Sequence, residues 1–323
     1  MSVFLTGGSG FVGLNIIEQL LSRGDSVVSF SLAPPPTRAK KTFDGLPGTL
    51  RHVDGDVCNG AAVEDALARS GARQIIHGAV ITAGIEREGR DPTSIISTNI
   101  HGTVNVLEAA RRRGAERFFY LSSASVYGAN SQRDAALSEE GTTPLPESLY
   151  AVTKYAGEGI ARRYGRIFPM QVVAARLSAV FGRWEHDTGL RDTLSPPYLL
   201  AGMALAGDAV VLADEGRRDW IYGPEVAAGI VALLDAAALS YDVYNIGTGQ
   251  TWSLSQWCEK LARRHPAFSY RLAGESESQA TFDPGRRSPL SVERILRDTA
   301  YNPRFGLAEA FDDYLGWMEE SGS

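Results

Sequence analysis

Short apolar runs alternate with amphipathic stretches through the first half of the chain, the pattern that yields a parallel sheet covered by helices. Val3-Phe4-Leu5 predicts a strand almost at the first residue. It leads through Gly7 to Gly10 into a helix with Val12, Ile16 and Leu20 on one face, ending at Gly24. Val27 to Phe30 reads as a second strand, and Gln74 to Ile76, Phe118 to Leu121 and Val172 to Ala175 as three more. Ile96, Ile100, Val104 and Leu107 recur at helical spacing up to Arg111-Arg112-Arg113-Gly114, where the basic cluster complements the helix's own dipole. Past about residue 180, Ser195-Pro196-Pro197 and the glycines near Gly247 break the regularity, and Val226 to Leu239 reads as a helix returning to the sheet.

Charge narrows the class of partner. A net charge of -6 and a pI near 5.5 argue against a nucleic-acid binder, which needs a basic surplus. Two cysteines, Cys58 and Cys258, build neither a disulfide framework nor a clustered metal site. The histidines His52, His101, His186 and His265 have no ligand spacing, so no metal is expected. The longest apolar run is too short to span a bilayer and carries Asp235. The expectation is a soluble, cytoplasmic protein with no membrane or nucleic-acid partner.

Thr6-Gly7-Gly8-Ser9-Gly10-Phe11-Val12-Gly13 sits between the first strand and helix. Gly7 would bend the chain out of the strand, Gly10 let backbone approach a pyrophosphate, and Gly13 let the helix pack close to the sheet. Helix N–H groups near Phe11 and Val12 would face the phosphates. Asp56 and Val57 would follow at the adenine side. At the end of the second strand, where an acidic residue would select a ribose 2′-hydroxyl, stands Ser31, with Arg38, Lys40 and Lys41 downstream. Serine tolerates either cofactor and the basic residues suit a 2′-phosphate, so the reading is NAD(P) with a lean to NADP.

Tyr150 and Lys154 lie four apart and share a helix face. An ammonium beside a phenol favours the phenolate, a candidate general base, while Ser123 at a strand end would hydrogen-bond the reacting oxygen. His77 at another strand end reads as a packed core residue, and Trp220, Trp252, Trp257 and Trp317 as core.

With these residues the chain resembles the extended short-chain dehydrogenase/reductase family, which includes nucleotide-sugar epimerases and dehydratases. The likeness rests on Thr6 to Gly13, His77 to Val80, Thr98 to Asn105, Leu121 to Gly128, Tyr150 to Glu158, Arg176 to Gly182, Arg218-Asp219-Trp220 and Tyr244 to Gly249. It implies a Rossmann-type, doubly wound α/β fold: residues 1–175 for the dinucleotide and 176–323 mainly for substrate, with segments near 210–247 returning to the sheet. It assigns Ser123, Tyr150 and Lys154 to catalysis, with Asn99 supporting the proton path. Lys154 is expected on the nicotinamide ribose, and Gly78, Ala79 and Leu177 along the cofactor. Thr82, Ser125, Arg218 and Arg286 are expected to meet a carbohydrate substrate, with Arg287 weighed beside Arg286. The family's habit of packing the Asn99 and Tyr150 helices into a four-helix bundle implies a homodimer.

Dehydratases of the family carry an Asp-Glu pair after the catalytic serine or threonine, whereas this chain has Ala124-Ser125, so dehydration is disfavoured. The leading expectation is a nucleotide-sugar epimerase working through a keto intermediate. The alternative is a dehydrogenase of a sugar or sugar acid whose arginines clamp a carboxylate. Ala179, where many relatives place a phosphate-binding asparagine, weakens the epimerase reading, and the polar stretch 183–197 has no assigned ligand. A non-catalytic dinucleotide sensor is a minor alternative, disfavoured by the intact Ser123, Tyr150 and Lys154.

Overall fold

A computed structural model of the chain describes residues 1–133, 135–274, 282 and 285–320. Its strands are β1 (Ser2–Thr6), β2 (Ser26–Ser31), β3 (Thr49–Asp54), β4 (Gln74–His77), β5 (Arg117–Ser123), β6 (Gln171–Leu177), β7 (Ala179–Phe181), β8 (Ala209–Leu212), β9 (Trp220–Tyr222), β10 (Val243–Ile246) and β11 (Ser269–Leu272). Its α-helices are α1 (Phe11–Ser22), α2 (Thr37–Phe43), α3 (Gly60–Ser70), α4 (Ile85–Arg90), α5 (Pro92–Ile96), α6 (Gly102–Arg112), α7 (Leu149–Ile167), α8 (Pro196–Ala206), α9 (Gly223–Asp235), α10 (Leu254–Arg264), α11 (Glu293–Asp298) and α12 (Leu307–Glu319).

Seven strands form one parallel sheet in the order β10-β6-β5-β4-β1-β2-β3. From β1 the chain winds outward to β2 and β3, then returns to β4 on the other side. The carboxyl ends of β1 and β4 therefore flank a switch point, where a doubly wound sheet opens a crevice for ligand. One face of the sheet is covered by α1 and α9 through Leu14, Ile17, Val226 and Ile230. The other is covered by α3, α6 and α7 through Val63, Leu67, Leu107 and Ala161. Beyond the sheet, Phe181, Trp220, Tyr222, Trp252, Trp257 and Tyr314 build a separate aromatic core, while Trp317 is half-buried against it.

Three readings change. The strand β3 went unread because it is the edge of the sheet: Leu50 and Val53 are only half-buried, so its apolar signal is diluted. The helix through Ile96 and Leu107 is interrupted by a π turn over Ser97–His101. That turn points Ile95, Asn99, Thr103 and Val106 inward and leaves Ile96 41% exposed. Of the residues near 210–247, β10 joins the main sheet and α9 packs on α1, but β8 pairs with β11 in a separate ribbon. Among the described residues, no helix is long and apolar enough to cross a membrane.

Candidate active site

A cleft of about 1140 Å³ runs across the carboxyl ends of β1, β2, β4, β5 and β6. The residues named from the sequence for cofactor or substrate line it, except Arg38, Asn99 and Arg286. Gly7 has φ +73°, a backbone that side chains rarely adopt, and a Cβ there would meet Ala79 N at 2.6 Å. A Cβ on Gly13 would lie 2.4 Å from the Gly7 carbonyl oxygen, so α1 can start this close to the sheet only with glycine. Gly10 caps α1 without a side chain, which leaves first-turn N–H groups facing the cleft. Three bare glycines at a helix N-terminus, in a crevice of this size, fit the diphosphate of a dinucleotide.

A hydrogen-bonded chain ties this turn to the tyrosine helix. Thr103 Oγ1 donates to the Asn99 carbonyl at 2.7 Å, so at 2.9 Å from His77 Nε2 it acts as acceptor. His77 Nδ1 then accepts from Thr6 Oγ1 at 2.7 Å. Burial holds the His77 imidazole down to about 3, with Lys154 opposing its charge further, so it stays neutral. Asn99 is also buried: its Oδ1 accepts the Ile81 N–H at 2.8 Å and its Nδ2 donates to Thr153 Oγ1 at 2.9 Å. Thr153 in turn donates to the Tyr150 carbonyl at 2.9 Å. The Asn99 side chain is thus occupied in fixing the rim of the cleft and the start of α7.

Tyr150 projects from the first turn of α7, which Ser148 caps by accepting the Ala151 N–H at 3.2 Å. Burial pushes the Tyr150 phenol up, against the sequence expectation. Hydrogen bonds from Ser123 and Thr82 and the charges of Arg191 and Arg287 pull it back. Ser123 Oγ accepts both the Ser125 N–H at 3.2 Å and the Ser125 hydroxyl at 2.9 Å, which turns its own proton outward. Lys154 is 3% exposed with its ammonium 4.4 Å from the Tyr120 ring centroid. Burial lowers it to about 7, and Glu158 one turn on raises it. Glu158 is in turn held by Arg176 at 2.6 and 3.0 Å and by Ser122 at 3.0 Å.

The other end of the cleft carries arginines. Asp219, fully buried, accepts N–H groups from Thr248 at 3.0 Å, Gly249 at 3.3 Å and Leu290 at 3.1 Å, and the Thr248 hydroxyl at 2.9 Å. Burial raises its carboxyl and these bonds oppose the rise. One carboxylate thereby gathers three chain segments and fixes both Arg218 beside it and the strand of chain through Arg287. Arg287 lines the cleft and Arg286 is exposed outside it, so the structure shifts the substrate expectation by one residue. Arg38 points away as well: its guanidinium lies 3.6 Å from the Trp317 ring centroid and donates to the Trp317 carbonyl at 3.1 Å. Lys40 pairs with Asp44 at 2.9 Å. Ser31 accepts the Ser9 N–H at 3.2 Å, and the rim beyond it is Leu32, Ala33, Pro34 and Pro36. Asp56 lines the cleft and accepts the Cys58 N–H at 2.8 Å. Among the described residues no cluster of metal-ligating side chains occurs.

Sequence reasoning missed Arg191, which enters the cleft from the unassigned stretch 183–197. No local signal marks it; its place depends on a bridge to Thr82, a long way back in the chain.

A parallel sheet with a glycine-lined switch point and a Ser–Tyr–Lys centre defines a Rossmann-fold enzyme of the short-chain dehydrogenase/reductase class, in its extended form. The NAD dependent epimerase/dehydratase family model matches residues 3–247, and the chain belongs to that family. It is 32% identical over 98% of its length to UDP-glucuronate 4-epimerase 6 of Arabidopsis thaliana, 71% of which is covered. It is 30% identical over 99% of its length to UDP-glucose 4-epimerase of Erwinia amylovora, 98% of which is covered. Among solved structures, the UDP-glucose 4-epimerase of Thermus thermophilus in complex with NAD is similar, with TM-score 0.79, 25% identity and 99% of each chain covered.

Proposed function

We propose that the protein is an NAD-dependent epimerase acting on a secondary hydroxyl of a nucleotide sugar. The observation that carries this reading is the single cleft holding the glycine turn, the Ser123–Tyr150–Lys154 set and, opposite them, Arg218 and Arg287. A bound dinucleotide would supply reversible hydride transfer and, when oxidised, a positive charge near the phenol. Gly7 to Gly13 and the first turn of α1 would hold its diphosphate, and Lys154 its nicotinamide ribose.

The chain's own groups divide the remaining work. Ser123, its oxygen already accepting twice from Ser125, donates to the reacting substrate oxygen and holds it against Tyr150. The Tyr150 phenolate takes the hydroxyl proton and returns it later. The neighbouring cations Arg191 and Arg287 favour that phenolate, against the burial that opposes it. Arg218 and Arg287 hold the substrate's phosphates while the sugar turns. Ala124 and Ser125 bring no carboxylate beside the reacting carbon, which disfavours elimination of water.

NAD rather than NADP suits the rim at Ser31. Arg38 lies on Trp317 and Lys40 on Asp44, and an apolar edge faces the place of a 2′-phosphate. Ile96, Val152 and Tyr155, 41%, 44% and 39% exposed on α5 and α7, suit a homodimer through these helices. Ala179 at the substrate end favours a second reading, a sugar-acid dehydrogenase in which the arginines clamp a carboxylate.

The deciding experiment is to denature the purified protein and identify released nucleotide by mass. About one NAD per chain supports the epimerase, which must regenerate its cofactor without losing it. An empty protein that binds added cofactor reversibly supports the dehydrogenase.

A further inference from the structure

The stretch 183–197 forms a strap that lines the cleft, fastened along its length. Asn15 Nδ2 donates to the Arg183 carbonyl at 2.8 Å, and Trp184 Nε1 donates to Glu18 at 2.6 Å. Trp184 also meets Trp317 edge-on at 5.3 Å between ring centroids. Further along, Thr82 N–H donates to the Leu190 carbonyl at 2.9 Å and Asp192 N–H to the Thr82 carbonyl at 3.0 Å. Arg87 closes on Asp192 at 2.6 Å.

Within this strap stands Glu185, its carboxylate fully buried. It accepts the Ser195 N–H and the Ser195 hydroxyl, each at 2.6 Å, and pairs with Arg191 Nη2 at 2.9 Å. Arg191 Nε donates to the Thr193 carbonyl at 2.9 Å. These contacts use Nε and Nη2; among the described residues Nη1 has no further partner. The guanidinium carbon stands 4.9 Å from the ring centroid of Phe11, the first residue of α1, and the side chain faces the cleft. A buried carboxylate and a backbone carbonyl therefore hold a cation in the cleft beside Phe11, the residue that follows the glycine turn into α1.

We propose that Arg191 clamps the diphosphate of the dinucleotide beside the glycine turn, with Glu185 as its positioning residue. The proposal rests on the dinucleotide reading of the cleft. It explains why a polar segment with no assigned ligand is fastened so heavily: the strap carries the second half of the phosphate site, and with it in place the cofactor is retained between turnovers.

The test compares the wild-type protein with Arg191→Ala and Arg191→Lys. NAD affinity is measured by titration calorimetry, NAD retained through purification by mass, and folding by thermal unfolding without nucleotide. Loss of a charge-assisted bond to phosphate predicts about tenfold to hundredfold weaker NAD binding in Arg191→Ala. Adenosine, which lacks phosphate, should bind all three proteins alike. Arg191→Lys keeps a cation beside Glu185, so weaker NAD binding at an unchanged melting temperature separates the clamp from any folding defect. Unchanged NAD affinity with a raised KM for nucleotide sugar would overturn the proposal and move Arg191 to the substrate. A wild-type protein that binds no dinucleotide would overturn the cleft reading itself, and the clamp with it.

Discussion

The two ends of the cleft are made in different ways. The dinucleotide end is built from backbone: three glycines, a helix start without a side-chain cap, and the ends of consecutive strands. The substrate end is built from long side chains, Arg218 and Arg287, carried on loops and set in place by the buried carboxylate Asp219. A backbone site tolerates almost no added atoms, because displacing it means displacing the sheet. A side-chain site can be re-aimed one residue at a time, which suits a fold whose relatives act on different sugars.

The sharpest way to break this contrast is to add one carbon to the backbone end. In Gly13→Ala the new Cβ would sit 2.4 Å from the Gly7 carbonyl oxygen and 2.8 Å from Gly8 Cα. Calorimetry is expected to find no NAD binding, or the protein to be too unstable to purify. Wild-type affinity would show that the turn adapts and that the contrast is wrong.

Next in size is the centre between the two ends. Tyr150→Phe removes only the phenolic oxygen, so NAD binding should stay close to wild type while turnover falls by about 10²–10⁴. Turnover near wild type on any accepted nucleotide sugar would remove Tyr150 from the mechanism.

The same contrast explains what the chain discloses before it is folded. Local rules write the backbone end: apolar runs give β1, β4, β5 and β6, and the glycine spacing gives the turn. Tyr150 and Lys154 are legible because one helical turn joins them. The edge strand β3 is illegible because its half-exposed face dilutes the apolar signal. Arg191 is illegible because the Thr82 bridge that brings it into the cleft links segments far apart in the chain. Arg286 and Arg287 are neighbours in a loop, where no period of two or 3.6 says which one faces inward. The rise in the Tyr150 pKa comes from burial by many elements at once, which the Tyr–Lys spacing alone does not contain.

That pair of arginines gives a finer test. Arg287→Ala should raise KM for a nucleotide sugar by about tenfold to hundredfold, the loss of a charge-assisted contact to phosphate, with NAD affinity unchanged. Arg286→Ala, which removes an exposed side chain, should leave both constants near wild type. The reverse pattern would restore the original sequence expectation.

The smallest effect concerns Arg38, a long side chain that stands near the backbone end without serving it. Its guanidinium stacks on Trp317 at 3.6 Å and reaches Trp184 at 5.6 Å, so it joins α2 to the last helix and to the strap. Burial lowers its pKa, with Arg183 adding to the fall. To meet a 2′-phosphate it would have to leave two aromatic rings and the Trp317 carbonyl. Arg38→Ala should therefore cost about 0.5–1 kcal/mol of stability, the worth of an accessible cation–π contact, seen as a small drop in melting temperature. The ratio of NADP to NAD affinity should not move, because a side chain held on Trp317 outside the cleft contributes nothing to either. If that ratio falls instead, Arg38 does swing to the ribose, and the adenosine half of the dinucleotide end also relies on a side chain.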